Sequence, residues 1–160
     1  MGIDERAFRT VLSRFASGVT VVTTTFEGRL AGLTVSSFTS LSLKPTLILV
    51  CVAHHTDSHS VLEQADQFAV NVLAEDQSYL SQRFASLSEE KFVAGSYTLS
   101  ARGLPLLNGV LATLECTTYS RLPGGDHSIF VGEVVASHVY EGQPLLYYRA
   151  GYYQLGPREP

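Results

Sequence analysis

Apolar positions along the chain first recur at helical spacing and then switch to short runs typical of strands. Phe8, Val11, Leu12 and Phe15 fall at i, i+3, i+4 and i+7, with Asp4 placed to cap the N-terminus and Gly18 placed to end the helix. This predicts a first helix with one core-facing stripe. Residues 18–25 (GVTVVTTT) are rich in β-branched side chains, Glu27-Gly28 reads as a turn, and 30–38 and 46–53 follow as further strands of a meander. From Thr56 the run TDSHS offers several capping residues ahead of Val61, Leu62 and Ala65, predicting a short helix that begins at 56–58. Residues 67–73 (QFAVNVL) read as a strand, and Asp76 as the cap of another short helix carrying Tyr79, Leu80 and Phe84 on one face. Beyond a looser segment, 86–108, strands are predicted near 110–120, 128–140 and 145–155, with turns at Leu122-Pro123-Gly124-Gly125 and Glu141-Gly142-Gln143-Pro144.

Roughly six or seven strands with three short helices predict a mainly β fold, a closed or nearly closed barrel in a single domain. A doubly wound parallel sheet is disfavoured, because regular crossover helices are missing and no G-x-G-x-x-G follows a strand. The length of 160 residues and mass of 17.4 kDa suit one core that needs neither disulfides nor metals. With 45% hydrophobic and 16% charged residues the chain is globular, and a formal charge of −4 with pI near 5.7 offers no field for nucleic acid or anionic lipid. Cys51 and Cys116 each sit in an apolar β-rich run and read as buried thiols in a reducing, cytoplasmic protein. The start MGIDERAF has no signal-peptide pattern, and the apolar run 46–53 is too short to span a bilayer.

The densest chemistry lies in Gly32–Pro45, GLTVSSFTSLSLKP. There Thr34, Ser36, Ser37, Thr39, Ser40 and Ser42 alternate or cluster with Val35, Phe38, Leu41 and Leu43, so a strand shows hydroxyls on one side and apolar groups on the other. A flat aromatic ligand wants that surface, although an edge strand followed by a turn would carry the same residues. Ser58 and His59 stand where a helix N-terminus meets an anion, or where a cap belongs. His55 and His59 have metal-binding spacing, but no third ligand accompanies them and no metal is expected. Gly125-Asp126-His127 presents a histidine from a tight turn, with Asp126 either orienting it or closing the turn. No G-x-S-x-G occurs, which disfavours a serine hydrolase.

Several blocks, taken in order, carry a family resemblance: FRTVLSRFASGVTVVT (8–23), GLTVSSFTSLSLKP, FAVNVLAEDQ (68–77), Arg83-Phe84-Ala85, GDH, and PLLYYRAGYY (144–153). Over essentially its whole length the chain resembles the short-chain flavin reductases, the NAD(P)H-dependent reductase components of two-component flavin monooxygenases. The resemblance implies an FMN-binding split β-barrel, built as a homodimer with flavin sites near the subunit interface. It also implies FMN, or FAD, as flavin, NADH or NADPH as cosubstrate, and a monooxygenase component as partner. By the same resemblance Thr34, Val35, Ser36 and Ser37, with Ser42, Leu43 and Lys44, line the isoalloxazine largely through backbone groups. Cys51, Val52 and Ala53 continue that wall, Ser58 and His59 lie by the flavin phosphate, and Arg83, Phe84, Ala85 and Ser86 complete the site. His127, with Tyr148, Arg149, Gly151 and Tyr152, is associated with the nicotinamide cofactor, and Lys91-Phe92 resembles a family feature near the flavin. Hydride transfer between two rings needs placement more than acid–base chemistry, so no catalytic residue is assigned and His127 reads as an orienting group. A split-barrel protein of another kind, either a pyridoxamine-phosphate-oxidase relative or a non-catalytic flavin- or haem-binding module, is the alternative.

Overall fold

The computed structural model describes residues 2–87 and 90–160. Helix α1 (Glu5–Leu12) begins as its sequence requires, with the Asp4 carboxylate accepting the Ala7 N–H at 2.9 Å. It closes at Ser13, whose N–H donates to Arg9, and Gly18 lies beyond it in β1 (Ser17–Gly18). The expected core-facing stripe is not core-facing. No residue of α1 is buried, and Phe8, Val11, Leu12 and Phe15 are 54%, 62%, 52% and 80% exposed. Helical periodicity states that one face is apolar; it does not state what covers that face.

The body is antiparallel. Strands β2 (Thr20–Phe26) and β3 (Arg29–Val35) form a hairpin through Glu27 and Gly28, both left-handed at φ 49° and 77°, the combination a two-residue turn between twisted strands demands. Then come β4 (Phe38–Leu43), β5 (Thr46–Ala53), α2 (Asp57–Gln64), β6 (Gln67–Val72) and α3 (Ser78–Ala85). A small hairpin of β7 (Tyr97–Leu99) and β8 (Pro105–Leu107) occupies the segment expected to be loose. The long pair β9 (Ala112–Gly124) and β10 (His127–Val139) follows, and the chain ends in β11 (Leu146–Tyr148) and β12 (Gly151–Tyr153).

Seven strands run in the order β3-β2-β6-β9-β10-β5-β4, while β1, β11 and β12 form a separate three-stranded sheet. The two outer strands of the large sheet, β3 and β4, are joined only by Ser36 and Ser37, so the sheet rolls until its edges meet. The β4–β5 ladder runs one step into this link, with the Cys51 N–H donating to the Ser37 carbonyl at 3.3 Å, and the fold is a split barrel, mainly β with short helices, as expected. Strand alternation fills the barrel: Ile48, Val50 and Val52 point inward from β5 and meet Val22, Phe68, Val70 and Phe130. Each fully buried side chain of this size contributes about 1.5–3 kcal/mol. A second cluster, including Val19, Val21, Leu73, Leu80, Phe84 and Leu145, lies under α3.

Four boundaries differ from expectation. The strand expected over 30–38 stops at Val35, and Phe38 opens β4. The cap of α3 is Gln77, not Asp76; the Gln77 side chain is buried, accepting from Ala74 N–H and donating to the Asn108 carbonyl. Its buried face is Leu80, Ser81 and Phe84, and Tyr79 is exposed. Strand β9 continues through Pro123 to Gly124, moving the turn to Gly125-Asp126, because a proline at the end of a ladder loses little. The stretch 145–155 is not one strand but the β11–β12 hairpin, turned by Arg149 and Ala150. Among the described residues no helix is long and apolar enough to cross a membrane.

Candidate functional site

The corner between β3 and β4 is where the hydroxyl-rich sequence is exposed. Thr34, one residue before the end of β3, donates its hydroxyl to the Ser81 carbonyl at 2.6 Å, and the Ser37 hydroxyl donates to the Cys51 carbonyl at 3.1 Å. Ser36 and Ser37 are exposed, while Val35 is 4% exposed and offers only its backbone. Two depressions meet at Ser36. One, of about 210 Å³, is walled by Val19, Thr34, Ser81, Ala85, Tyr147 and Tyr152. The other, of about 410 Å³, is walled by Phe15, Ser37, Phe38, Leu49 and Cys51. Hydroxyls at the rim and apolar surface on the wall suit a flat heteroaromatic ring, and the larger volume lies within the range of small-molecule sites.

The register of β5 with β10 brings the histidine turn to the same region. His127 pairs with Ala53 and Ile129 with Cys51, so His127, Ala53 and Cys51 share one face of the sheet, while Val52 is fully buried on the other. Cys51 is therefore only half-buried, unlike the core thiol Cys116, which burial pushes up to about 12. His127 Nδ1 stands 2.6 Å from an oxygen of Asp126, and the hydrogen bond from His127 holds the exposed Asp126 carboxyl below its ordinary value. The turn is anchored by His54, whose backbone N–H donates to the Asp126 carbonyl at 3.0 Å.

Not every expected residue converges there. Ser42, Leu43 and Lys44 sit at the far end of the β4–β5 hairpin, four to six residues from Phe38 and so about 13–20 Å along the chain. Within one chain they stand apart from the Ser36 corner. Ser58 is 4% exposed and donates its hydroxyl to the Gly32 carbonyl at 2.9 Å, so that hydroxyl is already engaged inside the protein. His59 Nε2 is 2.8 Å from the Ser128 hydroxyl, and the ring beside it is His54, at 4.9 Å, not the His55 that spacing had paired with it. Helix α2 starts only at Asp57, so helical spacing does not extend back to His55. Arg83 lies over the Tyr79 ring at 5.7 Å, Phe84 is buried, Ala85 lines the smaller depression, and Ser86 is the C-cap of α3. Tyr148, Arg149, Gly151 and Tyr152 all belong to the β11–β12 hairpin.

A further hollow of about 320 Å³ borders Gly32, Ser58 and Lys91. Lys91 Nζ donates to the Gly32 carbonyl at 3.0 Å; burial lowers its pKa, and nearby Asp57 partly opposes that. Gly32 is required here by close approach, since a Cβ would fall 2.9 Å from Phe84 Cε1 and 3.2 Å from Phe92 Cζ.

Sequence reasoning missed Ser81, Val19 and Tyr147. Ser81 is the junction: buried to 3%, it accepts the Thr34 hydroxyl on its carbonyl and the Tyr152 hydroxyl on its Oγ, at 2.8 Å. Its place beside Leu80 and three residues before Phe84 on a short helix was the available signal.

Comparison with known proteins agrees with this arrangement. Residues 12–156 match the model of the flavin reductase like domain. The actinorhodin polyketide dimerase of Streptomyces coelicolor is 42% identical over 92% of this chain and 84% of its own length. HsaB of Rhodococcus jostii, the reductase subunit of a flavin-dependent monooxygenase, is 42% identical over 97% of this chain and 80% of its own. The solved structure of the Streptomyces globisporus C-1027 NADH:FAD oxidoreductase SgcE6, in complex with NAD and FAD fragments, superposes with a TM-score of 0.91 at 34% identity, covering 98% of each chain. With the split barrel, the hydroxyl-lined corner and the histidine turn in place, these matches establish that the chain belongs to the flavin reductase family.

Proposed function

We propose that this protein is an NAD(P)H-dependent flavin reductase that transfers hydride to FMN or FAD and supplies the reduced flavin to a partner monooxygenase. The observation that carries this reading is the meeting at Ser36 of two depressions with hydroxyl rims and apolar walls, next to the face that bears His127. A bound flavin supplies a ring that accepts hydride at N5 from C4 of the nicotinamide. The chain's own part is placement. The 34–37 corner offers hydroxyl and backbone groups to the rim of that ring; Phe38, Leu49 and Cys51 offer apolar contact to its face. Backbone amides of the segment from Ser36 to Lys44 would stabilise charge developing on the ring, which is worth most where water is excluded. His127, held by Asp126, orients the nicotinamide, and no residue of the cleft has to exchange a proton.

The exposed stripe of α1 supports a homodimer: Leu12 and Phe15 continue the apolar wall of the larger depression, so a second copy covering the stripe would also enclose the cleft. The open Ser36–Ser37 corner supports flavin held as an exchanging cosubstrate. We place this activity in the cytoplasm, where reduced nicotinamide nucleotides are available and the thiols Cys51 and Cys116 stay reduced.

The test is anaerobic mixing of the protein with NADH or NADPH and an excess of FMN or FAD, followed through the visible flavin absorbance. Rapid bleaching is expected and ranks the flavins. Flavin that binds but is not bleached by either nucleotide sinks the reductase reading and favours a storage module or an amine oxidase.

A further inference from the structure

An open hollow of about 510 Å³ lies away from the Ser36 corner, between the polar side of α1 and the tip of the β11–β12 hairpin, and it is walled by Arg6, Arg9, Thr10, Ser13, Arg149 and Ala150, with Glu5 at its edge. Three arginines thus border one hollow in a protein whose net charge is −4. Charge compensation inside the hollow is slight. Arg9 makes one exposed contact with Glu5 at 3.6 Å, whereas Arg6 and Arg149 have no carboxylate partner among the described residues. An exposed pair of this kind contributes little and is readily exchanged for another anion.

The hairpin tip is held in place at a cost. Arg149 and Ala150 both adopt left-handed backbone, at φ 49° and 62°, where glycine or asparagine would be the easy choice. The Arg149 N–H donates to the Ser13 carbonyl at 3.3 Å, docking the tip against the end of α1 so that hairpin and helix share the cavity. Strain retained in this way is a reason to ask what the tip does. Its immediate neighbours are Tyr148 and Gly151, and Tyr152 one step further on lines the smaller depression at Ser36. The hollow and the smaller depression therefore border the same β11–β12 hairpin, one at its tip and the other at Tyr147 and Tyr152.

We propose that Arg6 and Arg9 of α1, with Arg149, form a phosphate-binding subsite for the reduced nicotinamide dinucleotide. This rests on the reading of the β11–β12 hairpin as the nicotinamide side of the cleft. A guanidinium fork matches phosphate oxygens two at a time, and a cluster of them on the surface of an acidic protein selects a polyanion over a carboxylate. Both the pyrophosphate and a 2′-phosphate have this chemistry.

The double variant R6Q/R9Q tests it, since both side chains are exposed on a helix with no buried residue and their loss leaves the core intact. Steady-state flavin reduction is measured with NADH, NADPH and reduced nicotinamide riboside, which carries no phosphate. KM for a dinucleotide should rise about tenfold, with kcat and the flavin KM within twofold of wild type and with the salt dependence of KM flattened. Equal rises for NADH and NADPH assign the pyrophosphate; a rise confined to NADPH assigns the 2′-phosphate. Unchanged KM values for both dinucleotides, or an equal rise for the riboside, overturn the proposal. If the wild-type protein reduces no flavin at all, the reductase reading has failed and titration calorimetry with inorganic pyrophosphate decides the subsite on its own. Binding by wild type that R6Q/R9Q loses upholds it, and no binding by wild type overturns it.

Discussion

Tyr152 and Ser81, 71 positions apart in sequence, share a 2.8 Å hydrogen bond that ties the C-terminal hairpin to the first turn of α3. Ser81 also receives the Thr34 hydroxyl, so one small side chain and its carbonyl fix three separate segments around the smaller depression. Tyr152→Phe removes the bond while keeping the ring. It should cost about 1 kcal/mol of stability and lower the thermal midpoint by about 2–4 °C, with a several-fold rise in nicotinamide KM. Calorimetry and steady-state kinetics read the two effects; an unchanged KM would make the bond purely structural.

His127→Ala should raise the KM for the nicotinamide nucleotide about tenfold and leave flavin affinity, measured by fluorescence quenching, within twofold. Loss of flavin binding with an unaltered nucleotide KM would reverse the assignment.

The 2.6 Å contact between His127 and Asp126 sets a direction for pH. Because the hydrogen bond from His127 depresses the Asp126 carboxyl, the stabilisation it gives is present above the ordinary value of 3.8 and is lost as pH falls through the lower folded value. A carbon-detected NMR titration should place the Asp126 midpoint below 3.8 in wild type and return it towards 3.8 in His127→Ala.

Replacing Phe8 and Phe15 by glutamate should convert a dimer to monomers in sedimentation velocity, with far-ultraviolet circular dichroism unchanged, because neither residue contributes to the core. A doubly substituted protein that remains dimeric would place the interface elsewhere.

Gly132→Ala should destabilise by about 1–3 kcal/mol in urea unfolding through overpacking. The new Cβ would fall 2.6 Å from Phe68 Cζ and 2.7 Å from Cys116 Cβ, both in the filled barrel. Unchanged stability would mean that β10 shifts to make room.

Local chemistry was legible along the chain wherever neighbours in sequence decide it. Asp4 caps α1, Thr46–Ala53 alternates in and out as a strand must, and Glu27-Gly28 turns a hairpin, since each depends on a few bonded residues and their sterics. The ordered blocks that resemble flavin reductases, GLTVSSFTSLSLKP and GDH among them, also named the fold before any coordinates. Sequence alone placed the α1 stripe in the core, did not name Gly32 as the partner of the Ser58 hydroxyl, and left Ser81 unmarked.

Those matters depend on contacts between residues far apart in the chain, and tertiary structure alone settles them. The direction an apolar stripe faces is set by which surfaces remain free once the barrel has closed. The acceptor for the Ser58 hydroxyl is the Gly32 carbonyl 26 residues away, and the convergence of Thr34, Ser81 and Tyr152 is set by the packing of α3 against the rolled sheet. Periodicity specifies what each element must bury; the closure of the sheet decides against what, and so where the cleft lies.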